Sequence, residues 1–271
     1  MIEAKIIKDS TGPMGYRLIS IQTKAPKFLD AEIEKHRMIS SNSSSSRAIP
    51  LAKTLNVEPY IPEDVRINEP GMQGYTSLGE DDYSDWICEL KDLHKIIASY
   101  VGEWSEYFNI HKQHLNRYLE PFSMQYKIMT ANIEVWEYFL NLRDSANADP
   151  AIQSLARKIK AAIHNSSPQK LEFGEWHLPY VDSKRSDDRE VSAARCARVS
   201  YKTHDGEAPA YVEDIKLYNF LVTENHLTPM EHQATPHSPW SNVSFNGYKK
   251  EGHNYSGNLM EWEQHRQERL C

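Results

Sequence analysis

The amino-acid sequence predicts an α+β fold that is predominantly helical. Residues 14–22 alternate apolar and polar side chains, which is typical of a β-strand. The middle of the chain instead repeats apolar residues every three or four positions, which is typical of amphipathic helices. The chain has 271 residues, of which 39% are hydrophobic, enough for one large domain or two small ones. Because no boundary stands out, we expect a single domain over residues 1–271.

The order of the elements follows from the same periodicities. The clearest amphipathic helix spans residues 83–107, where the apolar side chains from Ile87 to Trp104 share one face. Residues 55–82 are rich in proline and glycine, which predicts a loop-rich insert. We expect further helices within 27–39, 111–119, 129–142, from Pro150 onward, within 192–201 and 213–226, and a short strand at 175–181.

The charge balance and the cysteine content narrow the class of protein. The net charge is −7 and the pI is about 6.0, which argues against a protein that coats nucleic acid. Cysteine occurs only as Cys88, Cys196 and Cys271, without a CxxC pair, so neither a disulfide framework nor a zinc site is expected. No signal-peptide pattern and no run of about 18 apolar residues occurs. We expect a soluble, cytoplasmic protein that binds no membrane, nucleic acid or metal.

A serine-rich run between two groups of cations is the most unusual stretch of the chain. It reads KHRMISSNSSSSRAIP, with Lys35, His36 and Arg37 on one side and Arg47 on the other. Small hydroxyl residues can turn several backbone N–H groups into a concavity that binds an anion. An arginine beside it can grip a phosphate with two hydrogen bonds. The alternative is a solvated loop with surface cations, and composition alone favours that alternative.

Polar residues in apolar surroundings offer further candidate sites. Arg117 and Arg143 interrupt apolar helical faces, so each must pair with an acid or meet an anionic ligand. For a single arginine the structural ion pair is the better interpretation, and Arg198 is ambiguous in the same way. Glu231 and His232 can cap a helix or face a cofactor, but the second histidine of an HExxH zinc motif is absent. A GxGxxG fingerprint, a P-loop and a GxSxG elbow are also absent.

Short segments taken together resemble the flavin-dependent thymidylate synthases. They are HRMISSNSSSSR, NRYLEPF, YFLNLR, ARVSY and TPMEH. The family signature is RHR-x-x-S-x-N-E-x-S-x-R-Y, and this chain departs from it at Lys35, Ser43 and Ala48. In the family the ARVSY and PFEH segments precede the signature, whereas here they follow it at 197–201 and 228–232. The chain thus resembles a circularly permuted member, and the fold that this implies is α+β with a small antiparallel sheet.

The resemblance implies a role for each matching residue. Arg143 would be the catalytic residue, because a fixed cation beside the pyrimidine ring stabilises negative charge on N3. Arg117 would contact the nucleotide of a neighbouring subunit. The residues implied in binding FAD are Lys35, His36, Arg37, Ser43, Asn132 and His232. Those implied in binding the nucleotide are Glu32, Lys35, Ser43, Ser44, Ser45, Ser46, Arg47, Arg117 and Arg143.

Several of these positions depart from the family pattern. Glu32 stands where the family has a glutamine that contacts the nucleotide. Glu134 and Tyr138 stand where the family has an arginine and an asparagine that contact the flavin. These exchanges lie beside the implied ligands, so an altered product or an altered base is an open alternative.

The resemblance also implies a reaction and an assembly. A one-carbon unit would pass from 5,10-methylenetetrahydrofolate to C5 of dUMP, and dTMP would form with FAD as cofactor and NADPH as reductant. The active sites would be shared between the subunits of a homo-oligomer, a tetramer in the family. One alternative on the same scaffold is flavin-dependent hydroxymethylation of dUMP or dCMP. An alternative of another class is a non-catalytic nucleotide-binding protein, which the departures at Glu134 and Tyr138 favour.

Overall fold

The computed structural model describes residues 1–182, 188–199, 209–237, 255–256 and 258–270. Its main sheet has the strands β1 (Glu3–Thr11), β2 (Arg17–Pro26), β3 (Ser40–Ser43), β4 (Met124–Asn132) and β5 (Gln169–Lys170). Their spatial order is β3-β4-β2-β1-β5, with antiparallel pairs throughout except that β5 runs parallel to β1. Two small antiparallel sheets pair β6 (Ala234–Pro236) with β9 (Trp262–Gln264), and β7 (Tyr255–Ser256) with β8 (Leu259–Met260).

Helices occupy much of the remaining described chain, so the α+β prediction is confirmed. None of these helices is long and apolar enough to cross a lipid bilayer. They are α1 (Asp30–Ile33), α2 (Leu51–Leu55), α3 (Glu80–Phe108), α4 (Lys112–Leu115), α5 (Ile133–Arg143), α6 (Pro150–His164), α7 (Asp188–Arg198), α8 (Tyr211–Thr223) and α9 (Gln267–Leu270), with 3₁₀ turns at Lys27–Leu29, Asn116–Phe122 and Thr228–Glu231.

The two faces of the main sheet differ in chemistry. On one face, Ile19 and Ile21 of β2 and Met129 of β4 are buried in a hydrophobic cluster with residues of α5 and α6. On the other face Ser20 lies opposite Thr130 in the register of β2 and β4, and this polar pair is flanked by the buried apolar Leu18 and Ile128. Because successive side chains of a strand point to opposite faces, the same two strands supply both surfaces.

Helix α6 covers the apolar face and is fixed at its start. The side chain of Asp149 accepts hydrogen bonds from the backbone N–H groups of Ala151 and Ile152, and Pro150 occupies the first turn. Ile152 and Leu155 are fully buried. Burial of each such side chain stabilises the fold by about 1.5–3 kcal/mol. The helix predicted to open at Pro150 is therefore present and anchors the sheet.

The C-terminal part of the chain covers the polar face. Nδ2 of Asn258 donates to Oγ of Ser40 over 2.8 Å, and Nε2 of Gln264 lies 3.3 Å from the same oxygen. Helix α7 and the 3₁₀ turn Thr228–Glu231 also pack against β3. Polar groups on this face are therefore enclosed by protein and must find partners there.

Some predicted elements need correction. Residues 129–142 are not one helix, because β4 continues to Asn132 and pairs with β2 inside the sheet, which overrides the local helical pattern. Residues 27–39 form a 3₁₀ turn and the short α1, so His36 lies in the turn after the helix. Residues 175–181 hold no strand and form only an isolated bridge between His177 and Ala234.

The long helix and the insert before it match the prediction closely. Helix α3 begins at Glu80, and the chain between Leu55 and Glu80 is irregular apart from an isolated bridge of Arg66 with Ser77. The predicted apolar face of α3 is largely exposed, because only His94 and Val101 are buried. The helix predicted within 192–201 ends at Arg198, and residues 200–201 lie outside the described part of the chain.

Candidate functional site

Arg143 lies between Glu32 and His36. Its Nη1 donates to Oε2 of Glu32 over 2.8 Å, and its Nε donates to Nε2 of His36 over 3.0 Å. Nη2 also lies 3.4 Å from the backbone oxygen of Glu32. Arginine carries five N–H bonds, so these three bonds leave two that can donate to a ligand. The end of α5, helix α1 and the turn after it thus meet at one place.

Burial keeps the imidazole of His36 neutral. Its ring packs edge-on against Phe139 with the ring centroids 4.7 Å apart. Burial lowers the pKa of His36, and the positive charge of Arg143 lowers it further. A neutral ring is also what the geometry requires, because Nε2 must be unprotonated to accept from Arg143. The His36 proton therefore resides on Nδ1.

The serine run is part strand and part turn. Ser40–Ser43 form the edge strand β3, and the chain turns only after Ser44, whose N–H bonds the carbonyl of Tyr126. Ser46 then fixes the turn against the 3₁₀ helix Asn116–Phe122. Its Oγ donates to Glu120 over 2.7 Å, and its carbonyl accepts from the amide of Asn116 over 2.7 Å. The prediction of a turn across the whole run is therefore wrong for its first residues.

The turn leaves several donors unused. Within the described part of the chain, the backbone N–H groups of Ser45, Ser46 and Arg47 have no hydrogen-bond partner. The side chain of Arg47 is exposed and forms no ion pair with any described residue. Arg117 is exposed on the adjoining 3₁₀ helix. Burial acts to raise the pKa of Glu120, but hydrogen bonds from Lys27 and Ser46 and the charge of Arg117 lower it below its usual value.

A cavity of about 880 Å³ opens beside this turn. Its lining includes Gln22 and Lys24 of β2, Tyr126 of β4, Ser44, and Arg198 at the end of α7. Volumes of this size are typical of small-molecule sites in proteins. The two aromatic rings of the lining, together with its cationic and amide groups, suit a planar anionic ligand.

Arg198 is held in a structural ion pair. The fully buried carboxylate of Asp214 bonds both Arg198 and Arg195, the latter over 3.1 Å. Burial lowers the pKa of Arg198, and the neighbouring Arg195 lowers it further. The structural interpretation of this arginine is the one that the contacts support.

Asn132 is buried and bonded on both sides of its amide. Its Nδ2 donates to the carbonyl of Met260 over 3.1 Å, and its Oδ1 accepts from the N–H of Met260 over 2.8 Å. This pairing joins the end of β4 to β8. The Asn132 amide would contact a flavin only after displacement of Met260. In this conformation the amide stabilises the contact between β4 and β8.

His232 is fully buried on the polar face of the sheet. Its Nδ1 bonds Oγ1 of Thr130 over 2.8 Å, and its Nε2 has no hydrogen-bond partner among the described residues. Burial lowers the pKa of His232 to about 3. Thr130 in turn bonds Ser20, and Ser20 bonds His177. These partners were not predicted from the sequence, because a serine or threonine among apolar strand residues gives no sign of which side chain it contacts.

The predicted site residues fall into separate groups in the single chain. Glu32, His36 and Arg143 meet directly, and the turn that carries Arg47 contacts the helix that carries Arg117. No hydrogen bond or ion pair among the described residues joins these two groups. The remaining predicted residues are Lys35 and Arg37, both exposed, Ser43 in β3, and the buried Asn132 and His232.

Comparison with protein-family models shows the family to which the chain belongs. Residues 8–169 match the family model described as thymidylate synthase complementing protein. This range covers more than half of the 271 residues, so the chain belongs to this family of flavin-dependent thymidylate synthase-like methyltransferases. The segments 197–201 and 228–232 lie outside the matched range, and the circular permutation stays a prediction. A search of curated proteins gave no match.

Solved structures resemble the chain, and the first of them shares its fold. A UMP/dUMP methylase, PolB from Streptomyces cacaoi, bound with 5-Br UMP, is 15% identical with a TM-score of 0.50, over 60% of this chain and 88% of that one. The same enzyme bound with 5-Br dUMP is 16% identical with a TM-score of 0.49, over 60% and 90%. The flavin-dependent thymidylate synthase ThyX from Helicobacter pylori, complexed with FAD and dUMP, is 21% identical with a TM-score of 0.35, over 54% and 67%.

Proposed function

We propose that the protein transfers a one-carbon unit from 5,10-methylenetetrahydrofolate to C5 of dUMP and forms dTMP, with FAD as cofactor and NADPH as reductant. The main observation behind this proposal is the position of Arg143. Its guanidinium donates to Glu32 and His36, and two of its N–H bonds remain able to donate to a ligand. The family assignment supports the class of reaction. We further propose a cytoplasmic homotetramer with shared active sites.

Arg143 would activate the pyrimidine ring electrostatically. A guanidinium that is fixed before the substrate arrives stabilises negative charge on N3 and O2 without reorganisation. That charge is conjugated with C5, which becomes the nucleophilic carbon. The bond to neutral His36 leaves the charge on Arg143, while the carboxylate of Glu32 offsets part of it. Glu32 therefore tunes the strength of this activation.

The serine turn would bind the 5′-phosphate. Three successive N–H groups, those of Ser45, Ser46 and Arg47, have no partner among the described residues, and the guanidinium of Arg47 is free to form two charge-assisted bonds. Arg117 adds positive charge from the adjoining helix. Binding at the phosphate holds the base in a fixed position and so contributes to rate through orientation.

The residues present fit a bound flavin in part. Lys35 and Arg37 are exposed and suit the phosphates of FAD, while the buried Nε2 of His232 has no partner among the described residues and suits a polar atom of a ring system. When bound, the flavin supplies the electrons for the reduction. Cys196 does not serve as a nucleophile, because burial raises the pKa of its thiol. A flavin-dependent route needs no cysteine.

A second candidate, hydroxymethylation of dCMP or dUMP, rests on Glu32. Its carboxylate lies 2.8 Å from Arg143 at the position where the family has a glutamine. A carboxylate accepts from the amino group of cytosine and repels the O4 of uracil, so this exchange favours dCMP. Capture of the transferred carbon by water instead of hydride would give a 5-hydroxymethyl product.

Mass spectrometry of the reaction product separates these functions. The purified protein is incubated with methylenetetrahydrofolate, NADPH and either dUMP or dCMP. Formation of dTMP from dUMP supports the first proposal, and a 5-hydroxymethyl nucleotide supports the second. A preparation that lacks flavin absorbance after addition of FAD, and that yields no product with either nucleotide, refutes both.

A further inference from the structure

A chain of hydrogen bonds crosses the polar face of the sheet from Ser10 to His232. Oγ of Ser10 bonds Nδ1 of His177 over 2.9 Å, and Nε2 of His177 bonds Oγ of Ser20 over 2.8 Å. Ser20 then bonds Oγ1 of Thr130 over 2.6 Å, and Thr130 bonds Nδ1 of His232 over 2.8 Å. All five side chains have 0% exposure, so bulk solvent does not reach the chain.

The backbone holds both histidines of this chain in place. The N–H of His177 donates to the carbonyl of Ala234 over 2.7 Å, and the N–H of Ala234 donates back over 3.2 Å. Ala234 follows His232 by two residues, so this bridge ties together the segments that carry the two rings. The ring of His177 also packs edge-on against Trp262 with the centroids 6.1 Å apart. The backbone bridge therefore fixes the two segments, and the ring of His177 cannot reorient without losing its packing on Trp262.

Both imidazoles in the chain are neutral. Burial lowers the pKa of His232 to about 3, and burial lowers the pKa of His177 well below its usual value, with a further contribution from the charge of Lys8. A neutral imidazole carries one proton, on either Nδ1 or Nε2, and each hydroxyl carries one as well. Every member of the chain therefore has a single proton to donate.

The protons can be arranged in two directions along this series of hydrogen bonds. If Nδ1 of His232 donates to Thr130, every bond points toward Ser10, whose own proton then has no acceptor among the described residues, since His177 is its only partner there. Nε2 of His232 would then also lack a donor. In the opposite direction Ser10 donates to His177, each following group donates to the next, and the Nε2 proton of His232 and a lone pair of Ser10 are left over. Each direction thus leaves one proton and one lone pair unused, but the second forms two O–H···N bonds and one N–H···O bond where the first forms one and two. Because a hydroxyl is the stronger donor and a ring nitrogen the stronger acceptor, the second direction is favoured.

We propose that Ser10 is a positioning residue that sets the direction of this chain and thereby holds the proton of His232 on Nε2. His232 then presents an N–H donor rather than a lone pair at its unpartnered nitrogen. Its ligand partner is a hydrogen-bond acceptor, a carbonyl oxygen or an unprotonated ring nitrogen. The assignment of that acceptor to the flavin ring rests on the proposed function, whereas the direction of the chain does not.

The preference for one tautomer depends on the hydroxyl of Ser10, because its bond with His177 is an O–H···N bond in one direction and an N–H···O bond in the other. Ser10→Ala removes the terminal hydroxyl and makes the two directions equivalent, because each then leaves one N–H and one ring lone pair without a partner. The tautomers of His232 should therefore approach equal populations in this variant.

The test is nitrogen NMR of the full-length protein labelled with ¹⁵N-histidine, without flavin or nucleotide. The resonances of His232 are assigned by their loss in His232→Gln. The expected spectrum of the unmodified protein has a protonated Nε2 and an unprotonated Nδ1. Ser10→Ala should move both shifts toward each other, and Ser10→Thr, which keeps the hydroxyl, should restore them.

A matched control removes another buried bond between a hydroxyl and an imidazole. Tyr218→Phe deletes the hydroxyl that lies 3.0 Å from Nε2 of His265, outside the chain, and should leave the His232 shifts unchanged. A protonated Nδ1 in the unmodified protein overturns the proposal, as do shifts in Ser10→Ala that match those of the unmodified protein. Loss of methyl transfer has no bearing on this readout, so failure of the proposed function remains a separate result.

Discussion

Replacement of Arg143 by alanine should abolish most of the turnover and leave the flavin bound. The side chain of Arg143 is 14% exposed. Its guanidinium donates to Glu32 and His36, and its two remaining N–H bonds are available to the pyrimidine. Its loss removes the fixed cation beside N3 and does not touch Lys35 or Arg37. The effect should therefore appear in kcat and not in the flavin content.

The magnitude follows from the contacts. Removal of a single donor that stabilises transition-state charge typically lowers kcat by about 10²–10³-fold. Because the carboxylate of Glu32 already offsets part of the charge of Arg143, we expect the lower end, about 10²-fold, or about 2.7 kcal/mol in activation free energy. The fold should lose about 1–3 kcal/mol, since the buried Nε2 of His36 loses its donor while the partly exposed Glu32 regains water.

The assay combines kinetics with a stability measurement. Steady-state formation of dTMP gives kcat at saturating dUMP, flavin absorbance gives cofactor content, and urea denaturation gives the free energy of unfolding. Arg157→Ala is the matched control, because Arg157 forms an exposed ion pair with Asp144 over 3.0 Å on helix α6. This variant should keep full activity and lose at most about 1 kcal/mol.

An unchanged kcat in Arg143→Ala would refute the reasoning. So would a loss of activity explained entirely by loss of flavin, because Arg143 would then be a cofactor ligand. Glu32→Gln adds a further check. It removes the carboxylate that would accept from the amino group of cytosine and repel O4 of uracil, so turnover of dUMP should rise relative to turnover of dCMP. A fall in that ratio contradicts the assigned preference for cytosine.

Further predictions concern the phosphate, the fold and the thiols. Arg47→Ala should raise the nucleotide KM without affecting folate saturation or stability, because the side chain is exposed and has no partner among the described residues. Asn132→Ala should lower the free energy of unfolding by about 1–3 kcal/mol in urea titrations, because both backbone groups of Met260 lose their partner. The pKa values of His177 and His232 lie below the value of about 6.5 in the unfolded chain, so stability is present above pH 6.5 and lost as the pH falls. Between pH 6 and 4, uptake of about one proton by His232 on unfolding should lower stability by roughly 1 kcal/mol per pH unit, and the lowered pKa of His177 adds to this loss. Cys196 should react with a thiol reagent only after unfolding, and equal labelling of Cys196 and Cys88 in the native protein would contradict its burial.

Residue patterns predicted the helices well where one face is periodic and the helix is long. Helix α3 matches the predicted span nearly to the residue, and α6 begins at the predicted proline. The strand β4 was missed, because its buried run from Ile128 to Asn132 leads directly into α5 and carries no alternation of its own. Pairing with β2, more than a hundred residues away, and with β3 makes it a strand. Pairing at that distance is invisible to local periodicity.

The candidate site was predictable only through its charged residues. A resemblance in short segments singled out Glu32 and Arg143 for the nucleotide and His36 for the flavin, and the structure brings these three side chains into contact. The chain from Ser10 to His177 could not be predicted, because serine and histidine in strands and loops carry no signal of mutual contact. Exposed residues such as Arg47 present the opposite problem, since their role depends on a ligand and not on protein contacts.

The alternation of the central strands has a consequence for mutational scanning. Ile19 and Ile21 pack in the hydrophobic cluster on one face of the sheet. Ser20, between them, belongs to the hydrogen-bond chain on the other face. Substitutions at consecutive positions should therefore have different effects. One should lower the melting temperature, and the next should alter spectra or kinetics. Plotted along β2 and β4, melting temperature and activity should oscillate out of phase with a period of two residues.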